Sequence, residues 1–263
     1  MNTDNPQTDK PLAAIILAAG QGTRMQSDLP KVVHAVAGRS MVSWVVDAVR
    51  QAGASRIILI VGHGADLVRA IFEGQDDIVF ATQHEQLGTG HATACAEPEL
   101  RDFEGDVVVL AGDGPLIRAK TIQTMRRVHS ETGAAATLAT SVIEDPTGYG
   151  RIIRGTDGRF EAIVEHKNAS DEQKAIREIY PSYACFDTKL LFEMLSTLKP
   201  DKVTNEYYVT DIPSMLTSNG HRVELVEAVP PEDVLSINTL QQLADVDAIL
   251  TQRLESAGVE AGS

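Results

Sequence analysis

Short apolar runs alternate along the chain with stretches in which apolar residues recur at helical spacing. Runs of the first kind are typical of buried strands, and stretches of the second kind are typical of amphipathic helices. This pattern predicts strands at residues 13–17, 56–61, 78–81, 106–110 and 135–142, and helices at 41–52, 66–72 and 122–131. Strands alternating with helices favour an α/β, Rossmann-like fold, with a mostly parallel twisted sheet and helices on both faces. Ser40 is available to cap the first helix.

The second half of the chain has a different pattern. Asp157-Gly158 between the runs 151–154 and 160–164 predicts a β-hairpin. Further elements are predicted at 183–186, 189–198, 212–218, 222–228 and 240–255, with Thr239 as the cap of the last helix. We therefore expect a disordered tail over 1–10 and one domain over 11–257, composed of a half at about 11–145, a smaller β-rich half at about 146–238 and the helix 240–255.

The candidate chemistry lies in loops that follow strands, where ligands of open α/β sheets bind. In the first loop, Gly20 and Gly22 allow backbone N–H groups to form an anion-binding nest. Met25 breaks the dinucleotide-binding glycine spacing, and no Gly-Lys-Ser/Thr closes a P-loop. Lys31 arrives later, after Pro30. A glycine turn with a surface lysine is the structural alternative.

Two further loops have the same character. Gln83 offers a donor and an acceptor that suit the edge of a uracil ring, and Gly88 and Gly90 flank Thr89. Asp113 follows a strand and begins a tight turn, a position that suits Mg²⁺ bound with phosphate oxygens, although a lone Asp is more often a turn cap.

The second half adds weaker candidates. A buried Glu165 or the pair Tyr207 and Tyr208 could bind sugar hydroxyls, although packing is the commoner role of such tyrosines. His84 and His91 are too isolated to indicate a metal site.

Composition narrows the choice of ligand. The 263 residues carry a formal net charge of -14, which argues against general nucleic-acid or anionic-membrane binding. An anionic substrate would therefore need local cations and metal.

Cys95 and Cys185 are interpreted as buried thiols in a reducing compartment, and no apolar run reaches membrane-spanning length. We expect a cytoplasmic protein.

Several separated motifs together resemble a known family. They are LAAGQGTRMQSDLPKVVH from Leu17, EQLGTGHA from Glu85, GDGPL from Gly112, GYGRI from Gly148 and EYYVTD from Glu206. The resemblance, over roughly residues 12 to 250, is to N-acetylglucosamine-1-phosphate uridyltransferase, the pyrophosphorylase half of a bifunctional uridyltransferase/acetyltransferase family. It implies a nucleotide-diphospho-sugar transferase fold with a sugar-binding β-rich lobe. It also implies that UTP and a sugar 1-phosphate are the substrates, with Mg²⁺ as cofactor.

The resemblance implies roles for matching positions. Residues implied to line the nucleotide are Leu17, Ala18, Ala19 and Gly20, and Ala111 and Gly112 are implied to bind substrate. Those implied to read the uracil are Gln83, Gly88 and Thr89, and those implied to hold the sugar are Gly150, Glu165 and the position of Tyr180, with Tyr208 and Thr210 near the sugar phosphate. Arg24 and Lys31 contact the phosphates, and Asp113 and Asn238 ligate Mg²⁺. Arg24, Lys31 and Asp113 form the expected catalytic group, since joining two anions needs charge neutralisation and positioning.

Two departures from the family bear on these expectations. Tyr180-Pro181-Ser182 stands where the family usually has Asn-Thr-Gly, whose Asn touches the sugar. N-acetylglucosamine 1-phosphate therefore remains the first expectation, beside glucose, galactosamine or another hexosamine phosphate. No hexapeptide repeat follows Leu250, so we expect no acetyltransferase activity and no β-helix trimer, but a monomer or weak homo-oligomer.

Three other functions remain as alternatives. A non-catalytic UDP-sugar-binding protein would keep the fold but not the charged residues. A dinucleotide-dependent oxidoreductase is disfavoured by the glycine spacing. A related cytidylyl or thymidylyl transferase differs only in base recognition.

Overall fold

The computed structural model describes residues 10–25 and 27–258, apart from the side chain of Thr23. The predicted tail, 1–10, lies outside the described residues except for Lys10. None of the described helices is long and apolar enough to cross a membrane. Cys95 and Cys185 are both free thiols. Cys185 is buried as predicted, whereas Cys95 is only half-buried, and burial raises the pKa of each.

The described residues form one large mixed sheet with helices on its two faces and a separate two-stranded ribbon. The strands are β1 (Leu12–Leu17), β2 (Ala35–Val36), β3 (Arg39–Ser40), β4 (Ala54–Val61), β5 (Ile78–Thr82), β6 (Asp106–Ala111), β7 (Ala136–Val142), β8 (Gly150–Arg154), β9 (Phe160–Val164), β10 (Glu178–Tyr180), β11 (Tyr183–Asp187) and β12 (Val223–Glu227). The helices are α1 (Met41–Gln51), α2 (Ala65–Ile71), α3 (Thr89–Ala94), α4 (Glu97–Leu100), α5 (Ala119–Thr132), α6 (Asp171–Lys174), α7 (Thr188–Thr197), α8 (Ile212–Ser218) and α9 (Leu240–Ser256).

The sheet order is β5-β4-β1-β6-β11-β7-β10-β8-β9, and β12 pairs with β7. Strands β5, β4, β1 and β6 are mutually parallel. Strand β11 lies antiparallel between β6 and β7, and β10, β8 and β9 extend the sheet as antiparallel strands. The predicted α/β class is thus confirmed: four parallel strands carry the strand-end loops, and a mostly antiparallel part of the sheet adjoins them.

The central strands are buried on both faces, which explains their continuous apolar runs. On one face of β1, Ile16 joins a core cluster with Val45 of α1. On the other face, Ile15 joins a second cluster with Leu191 of α7. A third cluster holds α9 against the ribbon and the start of α1, through residues such as Val246. Each face therefore has its own helical cover.

Two of the three local signals for turns and caps are present in the structure. The Asp157-Gly158 hairpin joins β8 to β9, with Gly158 at φ 78°. The backbone N–H of Gln242 donates to Thr239 Oγ1 at 3.2 Å, so the predicted cap of α9 is present. The side chain of Ser40 does not cap α1: its hydroxyl lies 2.6 Å from that of Ser43 instead.

Asp233 ties the segment before α9 to the rest of the domain. Its carboxylate is 1% exposed, and it accepts hydrogen bonds from Arg253 Nη2 at 2.5 Å and from Arg118 Nη2 at 2.9 Å. A few residues later, the N–H of Ile237 donates to the carbonyl of Asp113 at 3.0 Å. The chain is thereby held across the end of β6.

We expect Asp233→Asn to lower the free energy of unfolding by about 3 kcal/mol, because two guanidinium groups lose a buried carboxylate. Urea unfolding followed by circular dichroism measures this. Glu232→Gln is the matched control, since its carboxylate meets only the exposed side of Arg118 at 3.4 Å, and we expect a change below about 0.5 kcal/mol. Equal unfolding midpoints for the two variants would contradict the assignment.

Candidate active site

Four polar side chains from distant parts of the chain meet at the carboxyl ends of β1 and β6. Lys31 Nζ donates to the Asp113 carboxylate and, at 2.9 Å, to Asn238 Oδ1. Arg24 Nη2 donates to the same Asn238 oxygen at 2.9 Å. Lys31 and Asp113 are largely buried, with 15% and 17% of their side chains exposed. The structure therefore brings together every residue predicted to bind phosphate or metal, and we call these four the charged centre.

The first loop is shaped so that Lys31 can reach this position. Gly22 has φ 66°, a left-handed conformation, and a Cβ placed on it would lie only 2.6 Å from Lys31 Cβ. A side chain at position 22 would therefore strain the backbone and displace the lysine. The glycine thus serves the placement of a cation as well as any anion nest.

A pocket on one side of the charged centre is lined largely by residues that the sequence singled out. Its predicted members are Leu17, Ala19, Gly20, Lys31, Gln83, Gly88, Thr89, Ala111 and Asp113. Ala18 and Gly112 were also predicted, but they do not line this pocket. Ala18 is a buried core residue, and the Gly112 N–H donates to the Leu17 carbonyl at 2.9 Å. We call this space the nucleotide-side pocket, after the ligand that the resemblance implies for its residues, and we name the second pocket below in the same way.

Gln83 is held in one orientation at the wall of the nucleotide-side pocket. The side chain is 6% exposed, and its Nε2 donates to the Gly88 carbonyl at 3.1 Å and lies 3.1 Å from His91 Nδ1. His91 therefore positions this amide, a role that its isolation in the sequence concealed. Gln86, which the sequence did not single out, also lines the pocket and donates to the Ala19 carbonyl at 2.7 Å.

The rim of the nucleotide-side pocket joins two segments of the chain. The Gly90 N–H donates to the Tyr207 carbonyl at 2.7 Å, and the Tyr207 N–H donates to the Leu87 carbonyl at 2.8 Å. Thr89 Oγ1 accepts from the Val209 N–H at 3.1 Å. Gly88 has φ 99°, and a Cβ there would lie 2.5 Å from the Tyr207 carbonyl oxygen. The close approach of the two segments accounts for the glycines of this loop.

A second space, the sugar-side pocket, lies on the other side of the charged centre. It shares Ala111 and Asp113 with the nucleotide-side pocket, and its other predicted members are Arg24, Gly150, Glu165, Tyr180 and Asn238. An adjoining recess carries the remaining predicted residues, Tyr208 and Thr210, together with Leu17, Glu165 and Tyr180. These spaces border one another through shared residues, so two ligands could meet at Asp113.

The second half of the chain contributes an acidic, a phenolic and a basic side chain to the sugar-side pocket and the recess: Glu165, Tyr208 and Lys167. Burial raises the pKa of the Glu165 carboxyl, and the charge of Asp211 acts in the same direction. The Tyr208 hydroxyl lies 2.8 Å from Thr204 Oγ1 and accepts from Lys167 Nζ at 3.3 Å. Lys167, an exposed cation, lies beside the recess, and its role was not predicted from the sequence.

The charged centre also suits a divalent cation. Asp113 and Asn238 offer oxygen atoms, the ligands that Mg²⁺ prefers, and the Lys31 ammonium group bonded to both acts as a stand-in cation. Among residues 10–25 and 27–258, no group of three or more His, Cys, Asp or Glu side chains is placed to hold a metal. A metal here would therefore need phosphate oxygens and water as its other ligands.

Curated proteins are similar in sequence to most of this chain. The Bifunctional protein GlmU of Geobacter metallireducens is 48% identical over 243 residues, covering 92% of this chain and 51% of that protein. The protein of the same name from Brevibacillus brevis is 44% identical over 249 residues, covering 95% of this chain and 54% of the relative. The chain thus spans about half the length of the curated relatives it matches.

Fold and family comparisons agree with the geometry. A crystal structure of UDP-glucose pyrophosphorylase complexed with UDP-glucose superimposes with a TM-score of 0.74 over 92% of this chain and 99% of that chain, at 16% identity, a likeness of fold alone. Residues 14–202 match the MobA-like NTP transferase domain, and this range contains most of β1, all of β6 and three of the four residues of the charged centre. Because that match covers most of the sequence, the chain belongs to the MobA-like NTP transferase domain family.

Proposed function

We propose that this chain transfers a uridylyl group from UTP to N-acetylglucosamine 1-phosphate, giving UDP-N-acetylglucosamine and pyrophosphate, with Mg²⁺ as the metal. The observation that carries the proposal is the convergence of Arg24, Lys31, Asp113 and Asn238 between two adjoining pockets. Family membership and relatives named Bifunctional protein GlmU support nucleotidyl transfer. The motif resemblance supports the choice of UTP and of this sugar phosphate.

UTP occupies the half at about 11–145 in this proposal, with its base in the nucleotide-side pocket. Gln83 Nε2 is already bonded within the protein, which points the amide group in a fixed direction and leaves its oxygen to accept from the uracil N3–H. Leu17, Ala19 and Gly20 line this pocket, and the small residues Ala19 and Gly20 leave room for the nucleotide beside the backbone. The triphosphate then extends towards Lys31.

The reaction requires two anions to approach one another. A phosphate oxygen of the sugar phosphate attacks the α-phosphorus of UTP in line, and pyrophosphate leaves. Lys31 Nζ and the Arg24 guanidinium stabilise the charge on the triphosphate from fixed positions. The attacking phosphate is already ionised at neutral pH, so positioning replaces a general base.

Asp113 and Asn238 are the residues that would hold Mg²⁺. When bound, the ion supplies charge neutralisation for the phosphates and polarises the phosphorus. Lys31 is hydrogen-bonded to both of these ligands, so the same ammonium group that offsets the carboxylate charge is available for a phosphate oxygen. The overall charge of -14 makes these local cations the more necessary.

The sugar occupies the half at about 146–238, in the sugar-side pocket. Gly150 has no side chain to fill the space, and Glu165 accepts hydrogen bonds from sugar hydroxyls. Tyr208 and Thr210 border the recess nearest the sugar phosphate. Another hexose or hexosamine 1-phosphate is the second candidate substrate, favoured by the presence of Tyr180 where the resembling family has Asn.

Pyrophosphate release from UTP, CTP and dTTP, each with a panel of sugar 1-phosphates and Mg²⁺, tests the proposal directly. We expect turnover with UTP and N-acetylglucosamine 1-phosphate to exceed every other combination. Release with CTP or dTTP alone would replace the nucleotide, and faster release with another sugar would replace the sugar. Binding of UDP-sugar without any release would indicate a non-catalytic binding protein.

Changes at the charged centre should reduce turnover without unfolding the protein. We expect Asp113→Asn, which keeps the shape but removes the charge, to abolish measurable turnover. Lys31→Ala should lower kcat/KM by about 100-fold or more, the cost of losing one preorganised donor. Asp76→Asn, an exposed aspartate near the edge strand β5, is the control and should match the unaltered protein. Near-normal kinetics in the Lys31 variant would rule out its phosphate role.

Glu165 should introduce a pH dependence into sugar-phosphate binding. Burial raises the pKa of its carboxyl, so the group gains its proton as the pH falls through that raised value and can no longer accept two hydrogen bonds. The KM for the sugar phosphate should therefore rise on acidification, while the KM for UTP changes less. Glu165→Gln should remove this component and leave only the titration of the phosphate itself. Identical pH profiles for the two proteins would contradict the role.

A further inference from the structure

Two tyrosines border the sugar-side pocket from opposite sides of the sheet. Tyr180 ends β10 and Tyr183 begins β11, and both line this pocket. Tyr180 belongs to one core cluster and Tyr183 to the other. Ser182 between them has φ 70°, an unusual conformation for a serine. The connection between the two strands therefore places one phenol on either side of the pocket.

Neither phenol hydroxyl has a hydrogen-bond partner among the described residues. Tyr180 is 6% exposed and Tyr183 only 1%, yet neither oxygen is among the unpartnered side-chain atoms that are sealed from the surface. Buried tyrosine hydroxyls in native proteins almost always find a partner. The partner of these two is therefore a water molecule or a ligand in the pocket that both border.

Both hydroxyls are donors at neutral pH. Burial raises the pKa of Tyr180, and the charge of Glu165 raises it further. Burial also raises the pKa of Tyr183, with the charge of Asp113 acting in the same direction. Each phenol therefore keeps its proton, and each has a different carboxylate for a neighbour: Glu165 for Tyr180 and Asp113 for Tyr183.

Gly114 makes room for the Tyr183 hydroxyl. A Cβ placed on Gly114 would overlap the Tyr183 hydroxyl oxygen, whereas the ring carbon Cζ is 3.4 Å away. Gly114 does not have a positive φ, so close approach, and not backbone conformation, is the reason that a glycine suits this position. The hydroxyl consequently reaches the pocket wall directly beside Asp113 and the charged centre.

At the other end, Tyr180 and Glu165 form a donor beside an acceptor. A sugar hydroxyl both accepts and donates a hydrogen bond, so one such group satisfies the Tyr180 O–H and the Glu165 carboxylate together. The end next to Asp113 is where the phosphate of a sugar 1-phosphate would lie, and phosphate oxygens accept hydrogen bonds. The two phenols thus match the two ends of one ligand.

We propose that Tyr180 and Tyr183 are specificity-determining residues for the sugar 1-phosphate. Tyr183 donates to an oxygen at the phosphate end, and Tyr180 with Glu165 binds one hydroxyl of the sugar. The ligand is accordingly a hexose 1-phosphate that carries a free hydroxyl group at the Glu165 end. This inference rests on the proposed function, because it assumes that a sugar phosphate enters this pocket.

Calorimetric binding of UMP and of UDP-N-acetylglucosamine to the unaltered protein and to Tyr180→Phe and Tyr183→Phe tests the inference, because UMP lacks both the sugar and the phosphate to which the sugar is attached. The ratio of the dissociation constant of UMP to that of UDP-N-acetylglucosamine isolates what the sugar-phosphate half contributes. We expect each variant to lower that ratio by about tenfold or more, because a buried ligand oxygen loses its donor. The affinity for UMP should stay unchanged.

Tyr149→Phe is the matched control. Its phenol borders the same pocket, but the hydroxyl already donates to the Val234 carbonyl at 3.2 Å. Removing that hydroxyl costs the protein an internal bond and leaves the ratio unaltered. If the ratio fell as far in Tyr149→Phe as in Tyr183→Phe, the inference would be overturned, because a general loosening of the pocket would then explain both changes.

Gly114→Ala tests whether the change in the ratio comes from the Tyr183 hydroxyl itself or from a general change in the pocket. In the unaltered protein, the new methyl group displaces the Tyr183 hydroxyl, and the ratio should fall as far as in Tyr183→Phe. In the Tyr183→Phe background the hydroxyl is gone and the methyl group meets only ring carbons, so the ratio should fall no further. Losses that simply add in the double variant would contradict the pairing of these residues.

The two proposals can fail separately. If the unaltered protein releases no pyrophosphate with any sugar 1-phosphate, the proposed function fails, and the role of the tyrosines fails with it. If the unaltered protein is active and Tyr180→Phe and Tyr183→Phe both retain its full ratio, the proposed function stands and the specificity role of the tyrosines is overturned.

Discussion

The contact of Lys31 with Asp113 and Asn238 is the interaction on which the site depends. It joins the loop after β1, the end of β6 and the segment before α9, three regions that share no local sequence relationship. A cation held among oxygen ligands at strand ends is what a reaction between two anions requires. The same contact balances the charge of a largely buried carboxylate.

Much of the surrounding structure maintains this contact. Gly22 allows the backbone of the first loop to lie against Lys31, and a side chain there would push it away. Asp233, bonded to two arginines, fixes the segment that brings Asn238 across the sheet. These supports lie outside the substrate pockets, so their contribution is to geometry. A preorganised site needs rigid neighbours because small displacements weaken electrostatic stabilisation.

The two halves of the sheet contribute different kinds of groups to the candidate site. The parallel half ends in loops whose glycines let the backbone approach a ligand. The segment around Tyr207 is hydrogen-bonded to one of these loops. The antiparallel half supplies Glu165 and the phenols, groups that hydrogen-bond without carrying positive charge. Strand β11 lies against β6 and joins the halves, so the sugar-side pocket opens beside Asp113. This adjacency places the Asp113 carboxylate at the border of both pockets.

Local sequence was sufficient for the longer strands and helices and for part of the candidate site, but not for short elements such as β10 and α3. Apolar runs identified the central strands, Asp157-Gly158 identified the hairpin, and glycine-rich loops at strand ends identified Lys31 and Asp113 as candidates, because these features depend on neighbouring residues. Asn238 had no local signal and was named from motif resemblance alone.

Tertiary structure decided the contacts that have no local period. Arg24 and Asn238 are 214 positions apart, His91 orients Gln83, and Gly114 accommodates the hydroxyl of Tyr183. The insertion of β11 between β6 and β7 was equally inaccessible, since the pairing of distant strands is chosen by the packing of the whole sheet. Periodicity reports which face of an element is buried, but only the folded chain determines which distant side chain that face meets.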